Sequence, residues 1–178
     1  MKINEFIRYL DDNGLVVPAT NDKIFKSLFM DKSMRDNLAF TISEVTKIDK
    51  EFLLKNMKLK NSFIPSNNYV EKENTTDLLI DIRGNAISLE MNSTNSNDTH
   101  FRKSLHYHAL ITNNIIQNDN YYTVKSVTQI NFDNQIFDKA SKDDLVSEYM
   151  VLNTKTYAID KSEENNKKYH VNLALVRE

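Results

Sequence analysis

Residues 76–92, TDLLIDIRGNAISLEMN, decide how the chain is read. Asp77 to Ile82 is rich in strand-forming residues, Arg83-Gly84-Asn85 is a compact turn, and Ala86 to Asn92 alternates small or polar residues with Ile87, Leu89 and Met91. That pattern predicts an antiparallel hairpin. Side chains along a strand point to alternate faces, so Asp77, Leu79 and Asp81 share one face of the first strand and Leu78, Ile80 and Ile82 the other. On the second strand Glu90 and Asn92 share a face. Closing the hairpin brings Asp77 and Glu90, both near its open end, within reach of each other. Two carboxylates held together across a sheet repel unless a cation lies between them, and hard oxygen ligands of this kind suit Mg²⁺ or Mn²⁺. Such an ion polarises a phosphoryl oxygen and makes a bound water more acidic. The competing reading is a pair of solvent-facing strand acids, and Asp81 is read that way, as a solvent-facing or turn-supporting acid.

Working outward, residues 2–12 and then Asp22 to about Lys47 show helical spacing, with intervals of three and four recurring among Ile24, Phe25, Leu28 and Phe29 and then among Leu38, Phe40, Ile42 and Val45. Asn21 or Asp22 is placed to cap the second helix. A short strand is expected near Lys58 to Ile64. Beyond the polar loop Ser93 to Thr99, FRKSLHYHALITNNIIQ predicts a further helix, and YYTVKSVTQINF, EYMVLN and YHVNLALVR predict strands. KSEENNKK, from Lys161 to Lys168, reads as a solvated charged loop. The order predicts an α/β fold, a mixed β-sheet flanked by helices, in a single domain spanning 1–178.

Composition narrows the functions. With 178 residues and 40% hydrophobic content the chain has material for a sizeable core. Its 23 basic and 25 acidic residues leave a formal net charge of −2, so binding of a polyanion has to be local. The absence of cysteine excludes disulfides, thiolate metal sites and cysteine nucleophiles. No segment approaches the roughly 20 apolar residues of a membrane helix, and a soluble, cytoplasmic protein is expected. His100, His106 and His108 lack the i,i+4 spacing of a helical zinc pair and are read as surface histidines.

Five stretches, NDKIFKSLF (21–29), TDLLIDIRGNAISLEMN, FRKSLHYHALI (101–111), YYTVKSVTQINFDNQIF (121–137) and YHVNLALVRE (169–178), resemble in order the motifs of the PD-(D/E)XK nuclease superfamily. Within it the resemblance is to the transposase-like, recombination-promoting nuclease group. It implies a restriction-endonuclease-like αβββαβ core and a Mg²⁺- or Mn²⁺-dependent endonuclease that hydrolyses DNA phosphodiester bonds. Carried over by position, Asp77 and Glu90 are the metal-binding acids and the main-chain carbonyl of Met91 is a further ligand. Asn92 stands where the superfamily has Lys and this group usually Gln, orienting the attacking water or stabilising charge in the transition state. Its side chain is one methylene shorter than Gln. Lys26, Arg102 and Tyr107 are the expected contacts to nucleic acid, and Glu44 lies where several members place another acid.

Each of these has a plainer alternative. Asp22 and Lys26 form an i,i+4 pair on a helix, Tyr107 packs in the core, Glu44 is solvated, and Lys58, Lys60 and Lys72 are either phosphate contacts or ordinary surface. Two other functional readings stay open beside the nuclease. One is a catalytically degenerate nuclease fold that acts as a binding or inhibitory module on a protein partner. The other is a structural α/β domain with no site. Nucleases of this fold often cut as dimers, which makes a homodimer a further expectation.

Overall fold

The computed structural model describes residues 22–60, 63–64, 74–92, 126–134, 136, 139–161 and 166–176. The hairpin forms as expected. Strand β4, Leu78–Ile82, pairs antiparallel with β5, Asn85–Asn92, and Asp77 sits at the bend just before β4. The turn is tighter than the sequence suggested, because Asn85 already pairs with Ile82 and only Arg83 and Gly84 make the connection. Both have positive φ, 54° and 90°, as a two-residue turn matched to strand twist requires. Asp81 supports the turn by accepting the Gly84 N–H at 2.6 Å. Arg83 ties it to the neighbouring helix, donating to Asn56 Oδ1 at 2.7 Å and lying over the Phe52 ring.

The six-stranded sheet runs β1-β4-β5-β6-β8-β7, where β1 is Met57–Lys60, β6 Val127–Asp133, β7 Val146–Tyr149 and β8 Lys167–Asn172. β5, β6 and β8 are parallel and the remaining pairings antiparallel, so the sheet is mixed. β2, Phe63–Ile64, and β3, Asn74–Thr75, make a separate two-stranded ribbon. Among the described residues no helix is long and apolar enough to cross a membrane.

The long helix expected from Asp22 to Lys47 is two helices, α1 (Asp22–Met30) and α2 (Arg35–Thr46), joined by a 3₁₀ turn. Asp31 makes the break. Its backbone is extended and its Oδ1 accepts both the N–H and the hydroxyl of Ser33, a local bond that competes with helix continuation. A third helix that the sequence reading did not assign, α3 (Lys50–Asn56), is capped by Asp49, whose Oδ1 accepts the Phe52 N–H at 2.8 Å. The Arg35 guanidinium donates to the carbonyls of Leu54 and Met57, so the end of α3 is satisfied by α2.

Phe25, Leu38, Ala39, Ile42, Val45 and Leu53 from these helices form one buried cluster with Leu78, Ile80, Ile82, Ile87, Leu89, Met91, Ile130 and Phe132 from the sheet. Registers such as Leu78↔Leu89 and Leu89↔Ile130 put all of those strand residues on one face. Each fully buried side chain of this size contributes about 1.5–3 kcal/mol. Phe40, expected in the core, is half exposed with the Lys50 ammonium over its ring, and Ala39 takes the buried position. Two expected strands are shorter or shifted. In EYMVLN the strand ends at Tyr149, and Leu152 makes only an isolated bridge to Ile159. YHVNLALVR leaves the sheet after Asn172, whose Oδ1 accepts the Ala174 N–H and starts a 3₁₀ turn. Lys167 and Lys168, read as loop, begin β8. The helices expected at 2–12 and in 101–117 lie outside the described residues.

Candidate active site

The opposite face of the sheet is polar, and it is also buried. Register aligns Ser88 with Gln129 and Lys168, Glu90 with Asn131 and His170, and Asn92 with Asp133 and Asn172. Apart from Lys168, every one of these residues is buried. Burying polar groups costs free energy unless they bond to one another, so such a face needs a reason.

Its edge holds the predicted acids. Leu78 pairs with Leu89, and continuing the antiparallel register by one step sets Asp77 opposite Glu90. Glu90 is 3% exposed, whereas the Asp77 side chain retains 13% of its accessible surface. Asp77 Oδ2 accepts the Met91 N–H at 2.7 Å. In an extended strand the N–H and C=O of one residue point to the same edge, so the Met91 carbonyl is directed to the side on which Asp77 lies. Lys26, from α1, places its ammonium 3.0 Å from Asp77 Oδ1. Two carboxylates and one carbonyl are oxygen donors of the kind a hard divalent cation takes. Among the described residues no group of three or more His, Asp or Glu side chains gathers at a metal-sized position.

Asn92, expected to orient water, is held within the sheet. Its Nδ2 donates to Asp133 Oδ1 at 2.8 Å, and Asp133 Oδ2 lies 2.7 Å from His170 Nδ1. The Tyr149 ring meets the His170 ring edge-on at 5.3 Å. Neither Asp133 nor His170 was singled out from the sequence. The signal was present, since Gln129, Asn131 and Asp133 alternate with Ile130 and Phe132, and Lys168, His170 and Asn172 alternate with Tyr169 and Val171. That is the same alternation that marked Ser88, Glu90 and Asn92.

Two lysines at the start of β8 titrate in opposite directions. The hydrogen bond from Lys167 to Glu148, 2.8 Å, raises its pKa, while burial lowers that of Lys168. Burial also raises the Tyr169 phenol, with the nearby Glu148 charge adding to the effect.

The other predicted residues divide between exposed positions and undescribed ones. Glu44 is solvated and pairs loosely with Lys47 at 3.9 Å. Lys58 is exposed, and Lys60 lies 3.6 Å from Asp81. Arg102, Tyr107, Lys72 and His100, His106 and His108 lie outside the described residues, as does the side chain of Asp22. Comparison of the chain with protein-family models, with curated proteins and with solved structures gives no match.

Proposed function

We propose that the protein is a divalent-metal-dependent DNA endonuclease with a restriction-endonuclease-like core. The observation that carries this reading is the edge of the polar face, where Asp77, one residue beyond the β4–β5 ladder, bonds the amide of Met91, the residue after Glu90. The order of helices, three antiparallel strands β1, β4 and β5, and then β6 parallel to β5 supports this reading, and the helix expected between β5 and β6 lies outside the described residues. Asp77, Glu90 and the Met91 carbonyl would hold Mg²⁺ or Mn²⁺, which supplies charge neutralisation at the scissile phosphate and a more acidic water. Asn92 orients the attacking water. Lys26, one-third exposed beside Asp77, serves as the phosphate contact once its ammonium is released from the carboxylate. Arg102 and Tyr107 stay in the proposal as further contacts to DNA.

The test is nicking and linearisation of a plasmid in Mn²⁺ and in Mg²⁺. Metal-dependent cutting that disappears in both Asp77→Ala and Glu90→Ala is the expected result. Wild-type protein that binds no metal, judged by an unchanged melting temperature on adding Mn²⁺, overturns the reading.

One observation favours the second reading, a nuclease fold kept as a binding module. Lys26 neutralises Asp77, so an acid the chemistry needs is already paired within the chain. This reading predicts wild-type protein that binds DNA or a protein partner without cutting, whether or not Mn²⁺ is present.

A further inference from the structure

Asn92, Asp133 and His170 come from three adjacent strands and point to the same face of the sheet. Both oxygens of Asp133 are engaged, Oδ1 by Asn92 and Oδ2 by His170, and the Asp133 and His170 side chains are only 5% and 4% exposed. A carboxylate bonded through both oxygens to different strands cannot turn without breaking one bond. An ionised carboxylate only accepts, which fixes the polarity of the whole chain of contacts. The end of the Asn92 amide that meets Asp133 is its NH₂ group, and the His170 ring nitrogen Nδ1 lies 2.7 Å from the other carboxylate oxygen.

We infer that Asp133, itself held by His170, is a positioning residue that fixes the Asn92 amide with its oxygen turned away from Asp133. That oxygen is then an acceptor for a proton of the attacking water. Asn92 so held orients water by accepting, whereas a lysine at this position would act by donating. The fixing matters because the side chain is short. An amide one methylene shorter than Gln has less reach with which to find the water, so its position has to be built in, and misplacement by an ångström costs much of the rate. A buried network of this kind costs desolvation on every member and is stable only when its members bond to one another. Asp133 meets that condition through both of its oxygens.

The role of the water rests on the nuclease reading; the orientation of Asn92 does not, and two readouts keep them apart. The first is the side-chain NH₂ signal of Asn92 by NMR, assigned through its loss in Asn92→Ala. In wild type one of its protons is expected to be shifted downfield and slow to exchange, and Asp133→Ala should remove both properties. The second is kinetics in Mn²⁺. Asp133→Ala should lower kcat on the order of tenfold to a hundredfold with a smaller change in KM, and it should add nothing in the Asn92→Ala background. Where Asp133→Ala does not fold, Asp133→Asn serves. It leaves one carbonyl acceptor for two donors and is expected to perturb the same NH₂ signal and to show the same dependence on Asn92. Independent, additive losses in the double variant overturn the inference, as does an Asn92 signal that Asp133 substitutions leave unmoved. Wild-type protein that shows the NMR signature and cuts no DNA supports the positioning and overturns the nuclease reading alone.

Discussion

Leu89 and Glu90 are neighbours on β5, 0% and 3% exposed, and they face opposite sides of the sheet. Around Leu89 the helices α1, α2 and α3 pack an apolar cluster, and Glu90 lies in register with Asn131, with Asp77 just beyond the β4–β5 ladder. Equal burial therefore conceals opposite energetics. On the Leu89 side every buried group stabilises the fold by leaving water. On the Glu90 side every buried group gives up hydration and has to recover it from a neighbour. Natural sequences often break a local rule where function requires it, and the polar face is where this chain breaks one.

Substitution of the two neighbours should break the comparison most sharply. Leu89→Ala leaves a cavity among fully buried partners and is expected to cost about 2–5 kcal/mol in urea unfolding, with an unchanged dependence on denaturant. Glu90→Gln keeps the volume but removes a buried carboxylate near Asp77, so its stability should equal or exceed that of wild type by up to about 1 kcal/mol. On the nuclease proposal, metal-dependent cutting should nevertheless be lost. A Glu90→Gln protein as unstable as Leu89→Ala would mean that the carboxylate is structural and that the two faces follow one rule.

A smaller effect is expected at Lys26, which reaches from the apolar-side helix α1 to the acid at the edge of the polar face. The ion pair is partly exposed, so Lys26→Met should cost less than about 1 kcal/mol in metal-free buffer. The ammonium also competes with any cation for Asp77. Added Mn²⁺ should thus raise the melting temperature more in Lys26→Met than in wild type, while on the nuclease proposal cutting at low DNA concentration should fall as the proposed phosphate contact is removed. An identical Mn²⁺ response in both proteins would separate Lys26 from the metal position.

Much of this contrast was legible in the sequence, for a physical reason. The two-residue period of a strand writes both faces into one stretch, and in TDLLIDIRGNAISLEMN the acids fall at the hairpin's open end, Glu90 within β5 and Asp77 one residue before the β4–β5 ladder begins. What the sequence hid depends on long-range pairing. The same period placed Asp133 and His170 in plain view on their strands, but only the parallel alignment of β5, β6 and β8 brings them to Asn92, 41 residues from Asp133 in the chain. Helix boundaries failed for a local reason. Helical spacing continues through Met30-Asp31-Lys32, and the side-chain bond of Asp31 to Ser33 interrupts it without disturbing the periodicity. Phe40 failed differently, because α2 needs only one apolar stripe and Leu38, Ala39, Ile42 and Val45 already fill it.

Lys167 and Lys168 carry the comparison of faces down to a pair of identical side chains one residue apart. Lys167 aligns with Thr128 and Ile87 on the helix side, where its bond to Glu148 holds the ammonium and raises its pKa above the ordinary 10.5. The native state then binds the proton more tightly than the unfolded chain. That stabilisation is full below pH 10.5 and is lost as pH rises through the raised value. Lys168 aligns with Gln129 and Ser88 on the polar side, where burial lowers its pKa. Between that lowered value and 10.5 the unfolded chain holds more protons, so this lysine makes stability rise with pH. At neutral pH Lys167→Met should be slightly less stable than wild type and Lys168→Met slightly more stable. The Lys168→Met difference should close first, below pH 10.5, and the Lys167→Met difference only above it. Melting temperatures of the three proteins from pH 7 to pH 11.5 measure both signs, and two differences that close together would show that the faces impose the same environment on a charge.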